Sequence, residues 1–333
     1  MAFPVANSTF GAEGSESLDR ARTAWVRVAS TITRYEPVTV VVTPGDEAVA
    51  TALLPDDATV VAQPLDDAWI RDTGPTFVVD DDAPGGPGVC AVNWRFNGWG
   101  AQAWAAWDDD ARLGRRVAGL AGVPVHDSPL VNEGGGFHID GRGAVMLTET
   151  VQLDPGRNPG WTRQDVEREI HPRLGTTHAI WLPRGLTRDY AEFGTRGHVD
   201  IVAAFTADGQ VLVHRQDDPT HPDHAVTREL RRVLDEATDS SGRPLRVVDL
   251  PAPSAVRDAE GEWVDYSYVN HYVCNGAVIL CAFGDPDADE RARSIVGACY
   301  PGRTVELVDA RDVFAFGGGI HCITQQQPRT PHV

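Results

Sequence analysis

The sequence predicts an α/β protein in which one unit is repeated five times around a closed ring. The order strand, hairpin partner, helix, strand recurs along the chain, and a polar cluster stands at the corresponding point of each round. Successive clusters are 61, 65, 72 and 52 residues apart, a near-fixed period that is typical of repeat architectures. A ring leaves no free sheet edge and brings these polar stations to its centre. The stations are Asp72, Glu133, His198 with Asp200, Asn270 and Cys322.

The elements of each unit follow from apolar periodicity and turn residues. Helices are predicted over about 15–34, 46–54, 108–120, 162–174, 223–237 and 288–299. Single strands are predicted over 38–42, 59–62, 123–126, 179–182, 245–250 and 305–308. Hairpins are predicted over 76–79 with 90–96, 137–139 with 144–148, 201–205 with 211–214, and 271–274 with 277–282. Tight turns join three of them, and an acidic Gly/Pro-rich turn over 80–88 joins the first.

Composition bounds the function. A chain of 333 residues with 42% hydrophobic residues can bury a large core, as two domains or one closed architecture, and we predict one domain over 1–333. The formal charge of −19 disfavours a nucleic-acid partner and favours a cationic ligand. All 29 basic residues are arginine, which excludes a lysine Schiff base and a Walker-type phosphate loop.

The five cysteines are widely spaced and form no C-x-x-C pair, so neither a disulfide framework nor a zinc site is predicted. No secretory signal and no apolar run of membrane-spanning length is visible in the sequence. We therefore predict a cytoplasmic protein without metal or cofactor. Its expected partner is a small cationic molecule, with neither nucleic acid nor membrane, and a homo-oligomer is left open.

The stations together suit a guanidinium. Carboxylates at one centre repel each other and need a cation between them, and the three here are Asp72, Glu133 and Asp200. A planar, always charged guanidinium matches bidentate carboxylate geometry. Trp69 could add a cation–π face.

Cys322 is the predicted nucleophile, because a thiolate can attack the central guanidinium carbon and form a covalent thiouronium intermediate. His198 would protonate the leaving nitrogen, and His198 or Glu133 would activate water. An anionic pocket raises a thiol pKa, so we expect much of the thiolate to form only when the guanidinium arrives.

Each station also has a plainer interpretation. Asp72 could pair locally with Arg71, Asn270 could simply end a strand, and Cys322 could be a small buried residue after a glycine turn. The spacing of His198 and Asp200 predicts alternate positions of one strand, facing one side. A metal site there is the rival, without an H-x-H or H-E-x-x-H pattern to support it.

Five segments resemble the agmatine deiminase and bacterial-type peptidylarginine deiminase family, within the guanidino-group-modifying (pentein) superfamily. They are 68–75 (AWIRDTGP), 133–141 (EGGGFHIDG), 197–200 (GHVD), 267–276 (SYVNHYVCNG) and 318–328 (GGIHCITQQQP). The resemblance implies a five-bladed α/β propeller of ββαβ units with pseudo-five-fold symmetry. It also implies hydrolysis of agmatine to N-carbamoylputrescine and ammonia, a step toward putrescine.

The resemblance also implies roles for single residues. Cys322 would be the nucleophile and His198 the acid and base, with Asp72 and Asp200 as guanidinium anchors. Glu133 would orient His198 and the substrate. Asn270 matches a position near the site in the peptidylarginine branch, and Trp69 a substrate-contacting tryptophan in the agmatine branch.

Departures from the family pattern bear on the substrate. Arg196 stands where agmatine deiminases usually have an acidic residue, Ile201 where asparagine is common, and Gly319 where asparagine often stands. Residues 2–4 resemble the inside of the family's first strand, so Met1 is a candidate late start. A cation at Arg196 would repel dicationic agmatine and could instead hold a substrate carboxylate. The alternative is an outward Arg196 paired with the acidic surface.

We therefore expect a hydrolase that deiminates agmatine. The alternatives are a deiminase of another guanidine, such as peptidyl or free arginine or a guanidino acid, and a non-catalytic guanidinium-binding propeller. Retention of a nucleophile, a base and carboxylates disfavours the binding protein, because pure binding needs no thiol.

Overall fold

The structure, a computed structural model, describes residues 1–80, 88–254, 257–258 and 261–329. It is an α/β fold with small mixed sheets, which confirms the predicted class. No helix in these ranges is long and apolar enough to cross a membrane. The helices are α1 (Glu16–Ile32), α2 (Glu47–Leu53), α3 (Ile70–Thr73), α4 (Gly98–Ala101), α5 (Asp110–Ala121), α6 (Glu149–Gln152), α7 (Arg163–Leu174), α8 (Asp223–Glu236), α9 (Pro286–Cys299) and α10 (Arg311–Ala315).

The strands are short and form separate sheets of two or three. They are β1 (Thr39–Val42), β2 (Thr59–Ala62), β3 (Thr76–Asp80), β4 (Gly88–Arg95), β5 (Val125–Val131), β6 (Phe137–Ile139), β7 (Ala144–Thr148), β8 (His178–Leu182), β9 (Ala203–Phe205), β10 (Gln210–Arg215), β11 (Arg246–Pro251), β12 (Tyr272–Cys274), β13 (Ala277–Ala282) and β14 (Thr304–Asp309).

The three-stranded sheets share one topology. In each, two strands form an antiparallel hairpin and a helix then returns the chain to a third strand, parallel to the second. The sheets are β3-β4-β5, β6-β7-β8, β9-β10-β11 and β12-β13-β14. The first sheet differs: β1 pairs in parallel with β2, and Ala2 bridges to Val41. The unit of strand, hairpin partner, helix and strand predicted from the sequence is thus present in the described chain.

The middle strands of the three-stranded sheets are mostly buried, because a neighbouring strand covers each edge and other elements cover each face. β7 is buried at every residue, and β13 at all but its last. Strands buried on both faces appear in a sequence as continuous apolar runs, such as Val278–Leu280 in β13.

Helix ends follow local capping signals. The Thr162 side chain accepts a hydrogen bond from the Asp165 amide while the Asp165 carboxylate accepts from the Thr162 amide, which forms a capping box at the start of α7. The helix ends at Gly175, whose φ of 64° lies in the left-handed region that glycine tolerates best. The prediction for 162–174 is therefore correct to one residue.

One local prediction is wrong. His198 and Asp200 do not lie on a strand, because Val199–Ile201 form a 3₁₀ turn and β9 begins only at Ala203. Cys322 lies in a turn as well. Most of the turn predicted over 80–88 lies outside the described residues.

Candidate active site

The predicted stations meet in one buried site. Asp72 lies in α3, and Glu133 precedes a 3₁₀ turn after β5. His198 immediately precedes the 3₁₀ turn before β9, and Asp200 lies within that turn. Asn270 precedes β12, and Cys322 follows α10. All six are at most 8% exposed. In each of the four three-stranded sheets, a polar side chain of the site therefore lies just before the first strand of the hairpin.

Cys322 lies against an amide and a carboxylate. The Asn270 Nδ2 lies 3.3 Å from the Cys322 Sγ and donates toward it, and the Sγ lies 3.6 Å from the Asp200 Oδ2. The Asn270 Oδ1 accepts from the His321 amide at 2.9 Å, so this one side chain fixes both the sulfur and its loop. Asn270 is thus part of the cysteine environment and more than a strand end.

His198 lies between two carboxylates. Its Nε2 is 3.1 Å from the Glu133 Oε2, and its Nδ1 is 3.8 Å from the Asp72 Oδ2. Asp72 is held in turn, since its Oδ1 accepts from the Gly135 amide at 3.0 Å and its Oδ2 from the Trp99 Nε1 at 2.9 Å. The ring is therefore held in place and surrounded by negative charge.

These contacts set the protonation states. Burial works against a charged imidazole, but Asp72 and Glu133 outweigh it and raise the pKa of His198 to about 9. Burial alone would raise the pKa of Glu133, yet Arg157 and His198 lower it to about 2. Burial raises the pKa of Asp72 to about 6. At neutral pH the site thus holds an imidazolium beside ionised Glu133.

The thiol is held in its neutral form. Burial raises the pKa of Cys322 well above its ordinary value, and the carboxylates of Asp200 and Asp72 raise it further. This agrees with the expectation that an anionic pocket opposes a resting thiolate. A cation that enters between the two carboxylates would offset both causes.

The glycines beside the stations are required by close approach. A Cβ on Gly135 would lie 2.4 Å from the His198 Nδ1, and one on Gly319 would lie 2.3 Å from the Asn270 Oδ1. Contacts this short do not occur for real Cβ atoms, so neither position accepts a side chain unless the His198 ring or the Asn270 side chain shifts. The two glycine runs therefore let neighbouring stations touch.

An aromatic pocket includes the thiol. Cys322 and Asp72 line it, and the remaining lining residues are Thr9, Trp69, Trp99, Trp104, Phe193, Thr195, Phe316 and Gly317. Trp99 stacks on Trp104 with 5.2 Å between ring centroids. Ring faces attract organic cations, and none of the arginines that the structure describes lines the pocket. Trp69 is among the lining residues, and its contact with a substrate stays a prediction.

Arg196 lies beside the pocket and does not line it. Its Nη1 is 3.4 Å from the Asp154 Oδ2, and its side chain is 40% exposed. Its φ of 69° is in the left-handed region, as are those of Trp99, Ala101 and Phe193. Arg196 is thus paired with a carboxylate, as in the alternative interpretation, but with the buried Asp154 and not with the acidic surface. A contact between Arg196 and a substrate stays a prediction.

Sequence reasoning missed several residues of the site. Arg157 holds Glu133, Trp99 holds Asp72, and the His321 Nδ1 lies 2.7 Å from the Asp200 Oδ2. Asp189 accepts hydrogen bonds from the amides of Gly197 and His198. The available signal was the buried Glu133 without a local partner, which required a cation from elsewhere in the chain.

One group of possible metal ligands lies away from the thiol. Among the described residues, the ligand atoms of Asp80, Cys90 and His126 lie within 4.8 Å of one another. These three residues belong to the β3-β4-β5 sheet and include none of the polar stations.

Comparisons with known proteins match this chain to deiminases over nearly its full length. A sequence profile of the Porphyromonas-type peptidyl-arginine deiminase family matches residues 1–328. A protein of Streptomyces coelicolor named as a candidate agmatine deiminase is 59% identical over 330 residues, which cover 99% of this chain and 95% of the relative. The agmatine deiminase of Stutzerimonas stutzeri is 36% identical, covering 92% of this chain and 87% of that protein. The solved agmatine deiminase of Enterococcus faecalis superposes with a TM-score of 0.90 at 29% identity, covering 99% of this chain and 93% of that one.

Proposed function

The chain belongs to the Porphyromonas-type peptidyl-arginine deiminase family, and we propose that it hydrolyses agmatine to N-carbamoylputrescine and ammonia. One observation carries the proposal: the Cys322 thiol lines an aromatic pocket together with Asp72 and lies against Asp200, with the His198–Glu133 pair beside it. A thiol, two flanking carboxylates and a protonated imidazole are the groups that guanidinium hydrolysis needs.

Binding comes first in the proposed mechanism. The guanidinium enters between Asp72 and Asp200, whose carboxylates can each accept its N–H groups. The arriving positive charge lowers the pKa of Cys322, and the thiol gives its proton to solvent, from which the thiolate takes one back after it is expelled in the last step. Asn270 then donates to the thiolate, as its Nδ2 already points toward the Sγ. Substrate binding therefore creates the nucleophile.

The first chemical step releases ammonia. The thiolate attacks the guanidinium carbon, a C–S bond forms, and the carbon becomes tetrahedral. His198, protonated at rest, gives its proton to one NH₂ group, the C–N bond breaks, and ammonia leaves. A cationic S-amidino (thiouronium) adduct on Cys322 and a neutral His198 remain.

The second step is hydrolysis of the adduct. Neutral His198 takes a proton from water as the oxygen attacks the same carbon, and collapse of the tetrahedral adduct expels the Cys322 thiolate. The product gives up the second proton of the attacking water, and this proton converts the released ammonia to ammonium, so charge and atoms balance. Glu133 keeps the His198 ring oriented in both directions of transfer.

The pocket favours a cationic or uncharged substrate tail. Its lining residues are aromatic, threonine or glycine apart from Asp72 and Cys322, so a tail carboxylate would find no basic partner there. An ammonium on a short aliphatic chain can contact the faces of Trp99 and Trp104. Arginine and peptidyl arginine are the second candidate substrates. The reason is Arg196, whose Nη1 lies 3.4 Å from the Asp154 Oδ2 beside the pocket and which is the basic side chain that a substrate carboxylate could contact.

Ammonia release from a panel of guanidines tests the proposal. We expect agmatine to be hydrolysed with a higher kcat/KM than arginine, a peptidyl arginine and guanidinobutyrate, and Cys322→Ala to release none. Preference for a carboxylate-bearing guanidine would overturn agmatine as the substrate and implicate Arg196. Absence of release from every compound would contradict the enzymatic function.

For the architecture, we infer that the sheets are the blades of a five-bladed α/β propeller made by one domain over 1–333. The repeated hairpin–helix–strand topology and the central position of the stations support it. The same reasoning supports a small cationic guanidine as the partner, with no nucleic acid or membrane, in a cytoplasmic setting.

A further inference from the structure

A buried guanidinium of the protein itself lies behind the acid–base pair. The Arg157 Nε is 2.9 Å from the Glu133 Oε1 and 3.1 Å from the Oε2. Both side chains are completely buried. The Glu133 Oε2 also faces the His198 Nε2, so one carboxylate joins the arginine to the catalytic ring.

The remaining donors of Arg157 are held by two other segments. Its Nη1 is 2.9 Å from the Asp154 Oδ2, and its Nη2 donates to the Thr195 carbonyl at 2.7 Å. Thr195 belongs to the loop that carries His198. The guanidinium therefore fixes the separation between the segment of Glu133 and the segment of His198.

The Asp154 support is closely packed. The Gly156 amide donates to the Asp154 Oδ1 at 2.8 Å, and a Cβ on Gly100 would lie 2.5 Å from the Asp154 Oδ2. Gly100 has a φ of 93°, so a side chain there would be strained as well as blocked. The segment that carries Trp99 and Gly100 packs against Asp154, and this packing leaves Arg157 little room to move.

The charge of Arg157 matters as much as its position. A buried carboxylate without a cation prefers its neutral form. Arg157 is the largest cause that lowers the pKa of Glu133 to about 2 against the effect of burial. A neutral Glu133 could no longer hold the imidazolium of His198 by charge.

We propose that Arg157 is a positioning residue that keeps Glu133 ionised and aimed at the His198 Nε2, without contact to the substrate. It is absent from the pocket lining, which separates it from the guanidinium anchors. The inference rests on the proposed function for its kinetic consequences, whereas its effect on the Glu133–His198 pair is independent of the substrate.

Arginine is required for geometry, because its planar fork satisfies three partners in three directions. A lysine ammonium supplies the charge at one point and cannot reproduce the paired contact with Glu133. Arg157→Lys therefore keeps the positive charge but loses the contact that orients Glu133, whereas Arg157→Met loses both the charge and the contact. Arg293→Met is the matched control, since Arg293 makes an equally close contact with Glu290 at the surface of α9.

The pH profile distinguishes positioning from a merely structural role. In Arg157→Met the pKa of Glu133 rises, so the ionised form is lost as the pH falls and the acid limb of kcat moves to higher pH than in the wild type. We expect kcat to fall about 10²-fold with little change in KM. Arg157→Lys should lower kcat without this shift of the acid limb, and Arg293→Met should match the wild type.

NMR titration of the His198 ring gives a readout that needs no turnover. The ring also faces Asp72, Asp200, Asp189 and His321, so the wild-type titration includes their effects. Arg157→Met should add an inflection at mildly acidic pH, and a further Glu133→Gln should remove it. If Arg157→Met fails to fold, Asp154→Asn takes its place. It weakens one support of Arg157 and should add a smaller inflection to the His198 titration.

Unchanged His198 titration and an unchanged acid limb in these variants would overturn the proposal. If no guanidine releases ammonia but the extra inflection appears, the proposed function fails and the role of Arg157 in positioning Glu133 holds.

Discussion

Cys322→Ala is expected to lower kcat for agmatine by at least about 10⁴-fold, to the limit of detection, because no other group can form the covalent adduct. The fold should survive, since Cys322 is a small side chain in a turn and its removal relieves a thiol placed between carboxylates. Thermal unfolding within a few degrees of the wild type would confirm this, with substrate binding retained through Asp72 and Asp200.

Cys299→Ala is the matched control for this substitution. Cys299 is also buried, at 3% exposure, but lies at the end of α9 and contacts none of the stations. We expect its kcat to equal that of the wild type. A Cys322→Ala enzyme with more than about one hundredth of the wild-type kcat would rule out nucleophilic catalysis by this thiol.

His198→Gln is expected to lower kcat by about 10² to 10⁴-fold, the range over which a positioned acid and base contributes. Glutamine can still hydrogen-bond Glu133, but it cannot give a proton to the leaving nitrogen or take one from water. The wild-type kcat should fall above about pH 9, where His198 loses its proton, because the pKa of His198 is raised to about 9. This basic limb should vanish in the variant.

Two comparisons complete the test of His198. His171→Gln removes a partly buried histidine of α7 that hydrogen-bonds Thr176, and it should leave kcat unchanged. A double variant with Cys322→Ala should be no less active than Cys322→Ala alone, since groups that act as a unit are not additive. A basic limb that persists in His198→Gln would assign the proton transfer to another residue.

The repeated fold was predictable because its signals are local. Apolar runs such as Val278–Leu280 mark buried middle strands, and the Thr162–Asp165 box marks the start of a helix. Dipeptides such as Asn275-Gly276 mark hairpin turns. Each of these features depends on neighbours in sequence, so one sequence is enough to read it.

The central stations were predictable from chemistry and period together. Asp72, Glu133, His198, Asp200 and Cys322 recur at related points of the unit, and carboxylates beside a thiol suit a guanidinium. The 3₁₀ turn that holds Asp200 and follows His198 was not predicted, since alternating residues around His198 imitate a strand. This error did not affect the prediction that the polar side chains meet, because the turn before β9, and not the strand itself, places the His198 ring at the site.

The supporting residues were not predictable, because their partners lie far away in sequence. Arg157 is 24 residues from Glu133, and His321 is 121 residues from Asp200. Trp99 appears in the sequence as one more aromatic residue, yet its Nε1 donates to Asp72. A buried polar group in a sequence indicates that a partner is needed, but it does not indicate which residue that partner is.

The most direct test of the account is to isolate the covalent adduct on Cys322. Wild-type enzyme is mixed with excess agmatine at about pH 5.5, quenched in acid, and analysed by intact mass and peptide mapping. At this pH the raised pKa of His198 keeps the imidazole protonated, so water activation slows and the adduct accumulates relative to about pH 9. The account predicts a mass increase of agmatine less ammonia, located on Cys322 and absent from Cys322→Ala. Complete turnover at about pH 5.5 without any adduct on Cys322 would contradict it.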